Sequence, residues 1–250
     1  MIGAILVIHS LYPEKLLASI DNSGEAVHLY LFFHGYDDTL LEKILNLSRE
    51  RPNTTFLPYG INRGLSRSWN EGIRFSRQCS DEFTLLLNDD LHFVEGGFQE
   101  FIRFARSYPG EYGLISVRGL EIGHSQFAGH IFRQDLACCI IGRRAIDEVG
   151  YFDTNFYPAY FEDMDYKFRL SLANLPIVAP EATLAEHERS STARISEKIA
   201  SSFEENVRRN REYYRKKWGG DVENEAYRHP FNDENRSIRL EFEDNLRLND

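Results

Sequence analysis

A chain of 250 residues, 42% apolar and 13% aromatic, is long enough for one large α/β domain or two small ones and too apolar for wholesale disorder. Its net charge of −10 argues against a general nucleic-acid binder, which carries a basic face, although an acidic protein can bind phosphates locally through a divalent metal. No apolar run approaches the roughly 18 to 20 residues that span a bilayer.

The first residues, MIGAILVIHSLYPEK, lack a basic leader and a small-residue cleavage site, and read as a first strand rather than a signal peptide. GAILVI forms that strand and PEKLLASI a helix, with Pro13 suited to its first turn. VHLYLFF is a second strand. TLLEKILNLSRE is a second helix, apolar at i, i+3 and i+4. TTFLPY, the helix SRSWNEGIRFSRQ and FTLLL follow, then the helix GFQEFIRFARSY and the strand GLISVRG. This alternation predicts a mostly parallel sheet covered by helices, with ligands beyond the carboxyl ends of its strands.

The second half is less regular. DLACCIIGRRAIDEVG reads as a strand and a short helix stopped by Gly150, FEDMDYKFRLSLAN as a helix, and LPIVAP as a late strand. A long helix carries Ile195, Ile199, Phe203, Val207, Tyr214 and Trp218 on one stripe, and Gly219 and Gly220 stop it. Its basic residues, Arg208, Arg209, Arg211, Arg215, Lys216 and Lys217, read as a solvated face, with docking to anionic lipid as the alternative. From Asp221 onward nine acids face four arginines, which predicts an irregular tail or a strapped-on extension. Cys79, Cys138 and Cys139 are odd in number and have no CxxC spacing; they read as reduced core thiols of a cytosolic protein.

Asn88, Asp89 and Asp90 end the fourth strand. Asn and Asp are ordinary turn residues. The other reading is a site for Mg²⁺ or Mn²⁺, which take hard oxygen ligands from one or two carboxylates and substrate phosphates. GINRGLSRSWNEGI sets Asn62, Gly64, Asn70 and Gly72 about a loop-to-helix junction, where Gly64 permits an unusual backbone angle and Ser66 can cap the helix. GYFDTNFYPAYFEDMDYKFRL supplies Glu162, Asp163 and Asp165 after an aromatic loop, placed either for chemistry or simply to complement a helix dipole. His187 falls just past a strand.

Together and in this order, these stretches resemble the family 2 glycosyltransferases of GT-A fold, over roughly residues 1 to 220. NRGLSRSWNEGI is similar to the family's N-x-G-x-x-x-x-x-N-x-G-I segment, LLLNDDL to its metal-binding D-x-D strand end, and VGYFDTNFYPAYFEDMDYKFRL to its G-[YF]-F-D…E-D-x-D stretch. RKKWGG ends as many members end. The chain departs from the pattern at His34, near where the second strand of many members ends in a base-contacting Asp; Asp37 and Asp38 follow. It also has Asn88 as the first residue of the D-x-D. The Q-x-x-R-W motif and membrane helices of processive synthases are absent, which favours one sugar per encounter.

The resemblance implies a GT-A domain over residues 1–220, with 221–250 as an extension. It implies inverting transfer of a hexosyl or related sugar from a nucleotide-diphosphate sugar to a glycan or lipid-linked hydroxyl, in polysaccharide biosynthesis in the cytoplasm, with peripheral contact to the inner face of a membrane as an option. The nucleotide sugar falls to Asn62, Gly64, Asn70, Asn88, Asp89 and Asp38. The Mn²⁺ or Mg²⁺ ion falls to Asp90 with His187, the general base to Asp163, and a substrate-shaping role to Glu162. Asp165, two positions along a helix from Asp163, points elsewhere and is structural. Tyr157, Tyr160 and Phe161 either stack on sugar faces or pack beneath the site. Two alternatives are a non-catalytic nucleotide-sugar-binding module and a sugar nucleotidylyltransferase; LVIHSLYPEK lacks the glycine-rich loop the latter requires.

Overall fold

A computed structural model of the chain describes residues 1–9, 11–35, 37–122, 129–132, 136–187 and 197–242. The strands are β1 (Ile2–Ile8), β2 (Val27–Phe33), β3 (Thr54–Pro58), β4 (Phe83–Asn88), β5 (Leu91–Phe93), β6 (Leu114–Ser116), β7 (Gly119–Glu121), β8 (Ile131–Phe132), β9 (Cys138–Ile141), β10 (Ile177–Val178) and β11 (Ala185–His187). The helices are α1 (Glu14–Asp21), α2 (Asp38–Glu50), α3 (Leu65–Gln78), α4 (Gly97–Ser107), α5 (Arg143–Glu148), α6 (Glu162–Leu172) and α7 (Glu197–Trp218).

The central sheet has seven strands in the order β10-β6-β9-β4-β1-β2-β3, and β9 alone runs antiparallel to its neighbours. Every residue of β1 is buried, as expected for a strand covered on both faces. Its side chains alternate between two cores. Ile2, Ala4, Leu6 and Ile8 pack with α1, α2 and α4, whereas Ile5 and Val7 pack with Trp69 and Ile73 of α3 and with α5 and α6. The chain winds from β1 through β2 to β3 and then returns by α3 to β4 on the other side of β1. The β1/β4 junction is therefore a topological switch point, where open α/β sheets leave a crevice at the carboxyl edge.

Several elements differ from the sequence expectation. GLISVRG is not one strand: β6 joins the central sheet, and β7 joins a second sheet of order β5-β11-β7-β8. These strands are only two or three residues long, too short to show a period of two. Pro13 occupies the cap position of α1, one residue before its first turn. Ser66 does not cap α3: Gly64 holds that position, and Ser66 is buried inside the first turn. Cys79 is exposed, while Cys138 and Cys139 are core residues of β9. Ile195 and the side chains of Ile199 and Phe203 lie outside the described residues.

Tyr214 and Trp218 of α7 do face inward, but so do Asn210 and Lys217. Lys217 is buried between Asp153 (2.7 Å) and Asp165 (2.6 Å), so it is no part of a solvated basic face. Arg208 pairs with Glu205 and Glu212, and Arg211 and Arg215 both pair with Asp221. Arg209 donates to the Tyr157 carbonyl and to Asn206, and Lys216 is exposed. The tail straps back onto the body: Leu240 bridges to Gly150, and the Arg169 guanidinium donates to the Ile238 carbonyl at 3.4 Å.

Candidate functional site

Register sets the first part of the site. Asn88 pairs with Val7, so Asp89 and Asp90 emerge at the carboxyl end of β4 beside that of β1. One Asp89 oxygen accepts the His9 N–H at 3.3 Å, tying the turn to the loop after β1. Burial pushes the Asp89 carboxyl up to about 7, with the Asp90 charge adding to the shift and backbone N–H groups opposing it.

His187 lies on β11 itself, opposite Leu91 of β5 and Glu121 of β7. Its Nε2 lies 3.0 Å from Asp90 Oδ1 and its Nδ1 3.6 Å from Glu121 Oε1. No local signal marks Glu121, because only the β7–β11 pairing brings it to His187, 66 positions away. Among the described residues no group of three or more His, Cys, Asp or Glu side chains could hold a metal ion. The donor chemistry of the pair is compatible with Mn²⁺ or Mg²⁺: Asp90 offers one hard carboxylate and His187 an imidazole with a second carboxylate behind it.

Two loops, after β3 and before α6, are tied together. Asn62 Oδ1 accepts the Gly64 N–H at 2.9 Å, the Tyr157 hydroxyl donates to the Asn62 carbonyl at 2.9 Å, and the Leu65 N–H donates to the Pro158 carbonyl at 2.8 Å. Gly64 has φ +85°, and a Cβ there would approach the Tyr157 ring to 2.9 Å, so both geometry and space call for glycine. Asn70, expected at the nucleotide, is instead buried with its side chain bonded to both the N–H and the carbonyl of Phe152 (2.8 and 2.9 Å), latching α3 to the segment before α6. Asp38 is an exposed first-turn residue of α2 at the same sheet edge, and Asp37 caps that helix by accepting the Leu40 N–H. His34 is buried against the Ser68 hydroxyl at 2.7 Å. Its imidazole is lowered to about 4, chiefly by desolvation and then by the nearby His9 and Arg63 charges, so it stays neutral.

Glu162 and Asp163 open α6. The two residues before them, Tyr160 and Phe161, have φ of +80° and +72°. Left-handed backbone costs a non-glycine residue about 1–2 kcal/mol, and such strain concentrates at functional sites. Glu162 is buried, and its Oε2 has no hydrogen-bond partner among the described residues. Burial, reinforced by the Asp163 charge, pushes its carboxyl up to about 8. Asp163 is partly exposed, with Lys167 Nζ 3.4 Å from one oxygen. Asp165 is fully buried against Arg169, Lys217 and Trp218, a structural residue as expected. Tyr157 and Tyr160 are exposed, whereas Phe161 packs against Tyr214.

The chain resembles solved structures of glycosyltransferases. With S. aureus TarS 1-349 in complex with UDP-GlcNAc it shares 14% identity at a TM-score of 0.60, covering 84% of this chain and 65% of that one. With the mannosyltransferase PcManGT from Pyrobaculum calidifontis in complex with GDP-Man and Mn²⁺, it shares 12% identity at a TM-score of 0.57, covering 76% of this chain and 57% of that one. At these identities the likeness establishes the fold, a GT-A-like α/β architecture, and the chain spans less than two thirds of either structure. No family model and no curated protein sequence matches the chain.

Proposed function

We propose that this chain is an inverting glycosyltransferase, of the family 2 type, that moves one sugar from a nucleotide diphosphate to an acceptor hydroxyl. Residues 1–220 form its transferase domain and residues 221–250 an extension. The observation that carries this reading is the pairing of Asp90 with His187 at the β1/β4 switch point, together with two carboxylates at the start of α6. A bound Mn²⁺ or Mg²⁺ held by Asp90 and His187 would supply positive charge to the departing diphosphate.

The remaining work falls to the chain's own groups. Asp163 is the general base: partly exposed and at a helix start, it can reach an acceptor oxygen and take its proton as that oxygen attacks C1. Glu162, buried and protonated at neutral pH, serves as a hydrogen-bond donor that orients a substrate oxygen. Asp89 keeps the loop after β1 in place against the nucleotide, and the Asn62–Gly64 turn borders the same crevice. Tyr157 and Tyr160 offer exposed ring faces to a sugar acceptor. No helix among the described residues is long and apolar enough to cross a membrane. A thermal-shift and hydrolysis screen of UDP-, GDP- and dTDP-sugars, with and without Mn²⁺, tests the reading. A metal-dependent shift with one nucleotide class and slow release of its sugar are expected. Binding without any turnover would instead mark a nucleotide-sugar-binding module.

A further inference from the structure

The start of α6 is held from outside by one stripe of α7. Trp218 Nε1 donates to Asp165 at 2.9 Å, Tyr214 packs on Phe161 at a ring separation of 5.7 Å, and Asn210, one turn earlier still, reaches the turn before the helix. The Asn210 side chain is 1% exposed, and its Nδ2 donates to two carbonyls, Ala159 at 2.8 Å and Tyr160 at 3.0 Å. In an extended chain consecutive carbonyls point to opposite sides, so a single amide can take both only where the backbone turns between them. The turn falls at Tyr160, where φ is +80°, and Phe161 continues it at +72°. Neither residue is glycine, so this backbone must be imposed from elsewhere. Asn210 is a buried polar side chain that grips it.

We propose that Asn210 is a positioning residue: by fixing the Ala159 and Tyr160 carbonyls it enforces the left-handed turn that seats Glu162 in its buried pocket and presents Asp163 to the acceptor. The inference rests on reading Glu162 and Asp163 as the reacting pair. The aliphatic and aromatic residues of the stripe could dock α7 without Asn210. What Asn210 adds is directional, since two N–H donors fix two carbonyls in direction as well as distance. Losing it leaves α7 docked through Tyr214 and Trp218 but frees the turn to relax toward ordinary backbone angles, which lets water reach Glu162.

The test compares the full-length chain with Asn210→Ala and with Arg211→Ala, which loses an exposed pair with Asp221 on another face of the same helix. The first readout needs no substrate: a ¹³C carboxyl titration of Glu162, assigned through Glu162→Gln. The charges acting on that carboxyl are Asp163 and Lys167, both retained in Asn210→Ala and Arg211→Ala, and the backbone N–H groups of Glu162 and of Tyr160, in the turn itself, also bond it. Its midpoint, about 8 in the intact chain, should shift by a unit or more in Asn210→Ala, where both the burial of the carboxyl and its bond from the Tyr160 N–H change, and stay put in Arg211→Ala. The second readout is hydrolysis of UDP-GlcNAc and GDP-mannose with Mn²⁺, where Asn210→Ala should lower kcat at least tenfold with donor KM within twofold. A folded Asn210→Ala protein whose Glu162 titrates as before overturns the inference, whatever the sugar. If the alanine variant does not fold, Asn210→Ser, which keeps one donor, is judged by the same titration. The base assignment fails separately, through an Asp163→Asn protein that still turns over.

Discussion

His187 Nε2 lies 3.0 Å from Asp90 Oδ1 across 97 positions of sequence, with Glu121 3.6 Å behind the other ring nitrogen. Asp90→Ala should abolish the Mn²⁺ dependence of UDP or GDP binding and leave the fold intact, because a strand-end acid contributes little to either core. His187→Ala should weaken metal affinity less, since it removes no charge, and Glu121→Gln should weaken it less again through the orientation of the ring. Calorimetry of nucleotide binding with and without Mn²⁺ orders the three; unchanged metal dependence in Asp90→Ala removes Asp90 from the site.

Asp163→Asn keeps the side-chain shape and removes the proton acceptor. Turnover should fall by about two to four decades while donor affinity hardly changes. An attack opposite the leaving group inverts C1, so an α-linked nucleotide sugar should give a β-linked product. Kinetics of the variant and NMR of the product anomer check both points, and a retained configuration would place the chemistry on a different group.

Glu162 gives stability a pH dependence of definite sign. In the fold it holds its proton to about 8, against an ordinary value of 4.5 in the unfolded chain. Between those values the folded state binds more protons, so this group's contribution is complete below about 4.5 and is lost as pH rises through 8. Glu162→Gln cannot ionise and should lose less stability than the parent between pH 5.5 and 8.5. Urea midpoints at the two pH values measure the difference; equal losses would mean that the carboxyl is already charged in the fold.

Lys217→Met removes the cation shared by Asp153 and Asp165 and leaves two carboxylates in a buried network. Stripping one partner from such a network costs about 3–5 kcal/mol. Lys216→Met, one position earlier and exposed, should change stability by no more than about 0.5 kcal/mol. Equilibrium unfolding of the two variants separates a buried tie from a solvated basic face.

Gly72→Ala sets two effects of opposite sign against each other. Alanine favours a helix interior over glycine by about 1 kcal/mol. A Cβ at Gly72, however, would stand 2.6 Å from Ile5 Cγ1 in the packed layer between α3 and β1. Overpacking of this kind costs about 1–3 kcal/mol, so the variant should be less stable overall. A thermal midpoint above that of the parent would show that α3 can move off the sheet at little cost.

The elements legible in the amino-acid order are those whose signal is local. The uninterrupted apolar run of β1, the 3.6-residue period of α2 and the punctuation by Gly150 and Gly219 are each legible within a dozen residues, and VHLYLFF coincides with β2 from end to end. Asp89 and Asp90 stand out because carboxylates ending an apolar run conflict with burial and require a reason, whereas Glu162 and Asp163 stand out through the family motif their stretch resembles. Tertiary structure alone decided what depends on pairing between distant segments. Four short strands form a second sheet because β7, β11 and β5 find each other, and only that register sets His187 between Asp90 and Glu121. Asn70, placed by motif at the nucleotide, turned out to be a latch on Phe152, and Lys217, one of six similar cations by sequence, turned out to be the buried one. A polar side chain carries the same letter whether it meets water, a ligand or a buried carbonyl. What distinguishes these cases is the set of groups that folding brings within about 3 Å of it, and those groups come from parts of the chain that no local period connects.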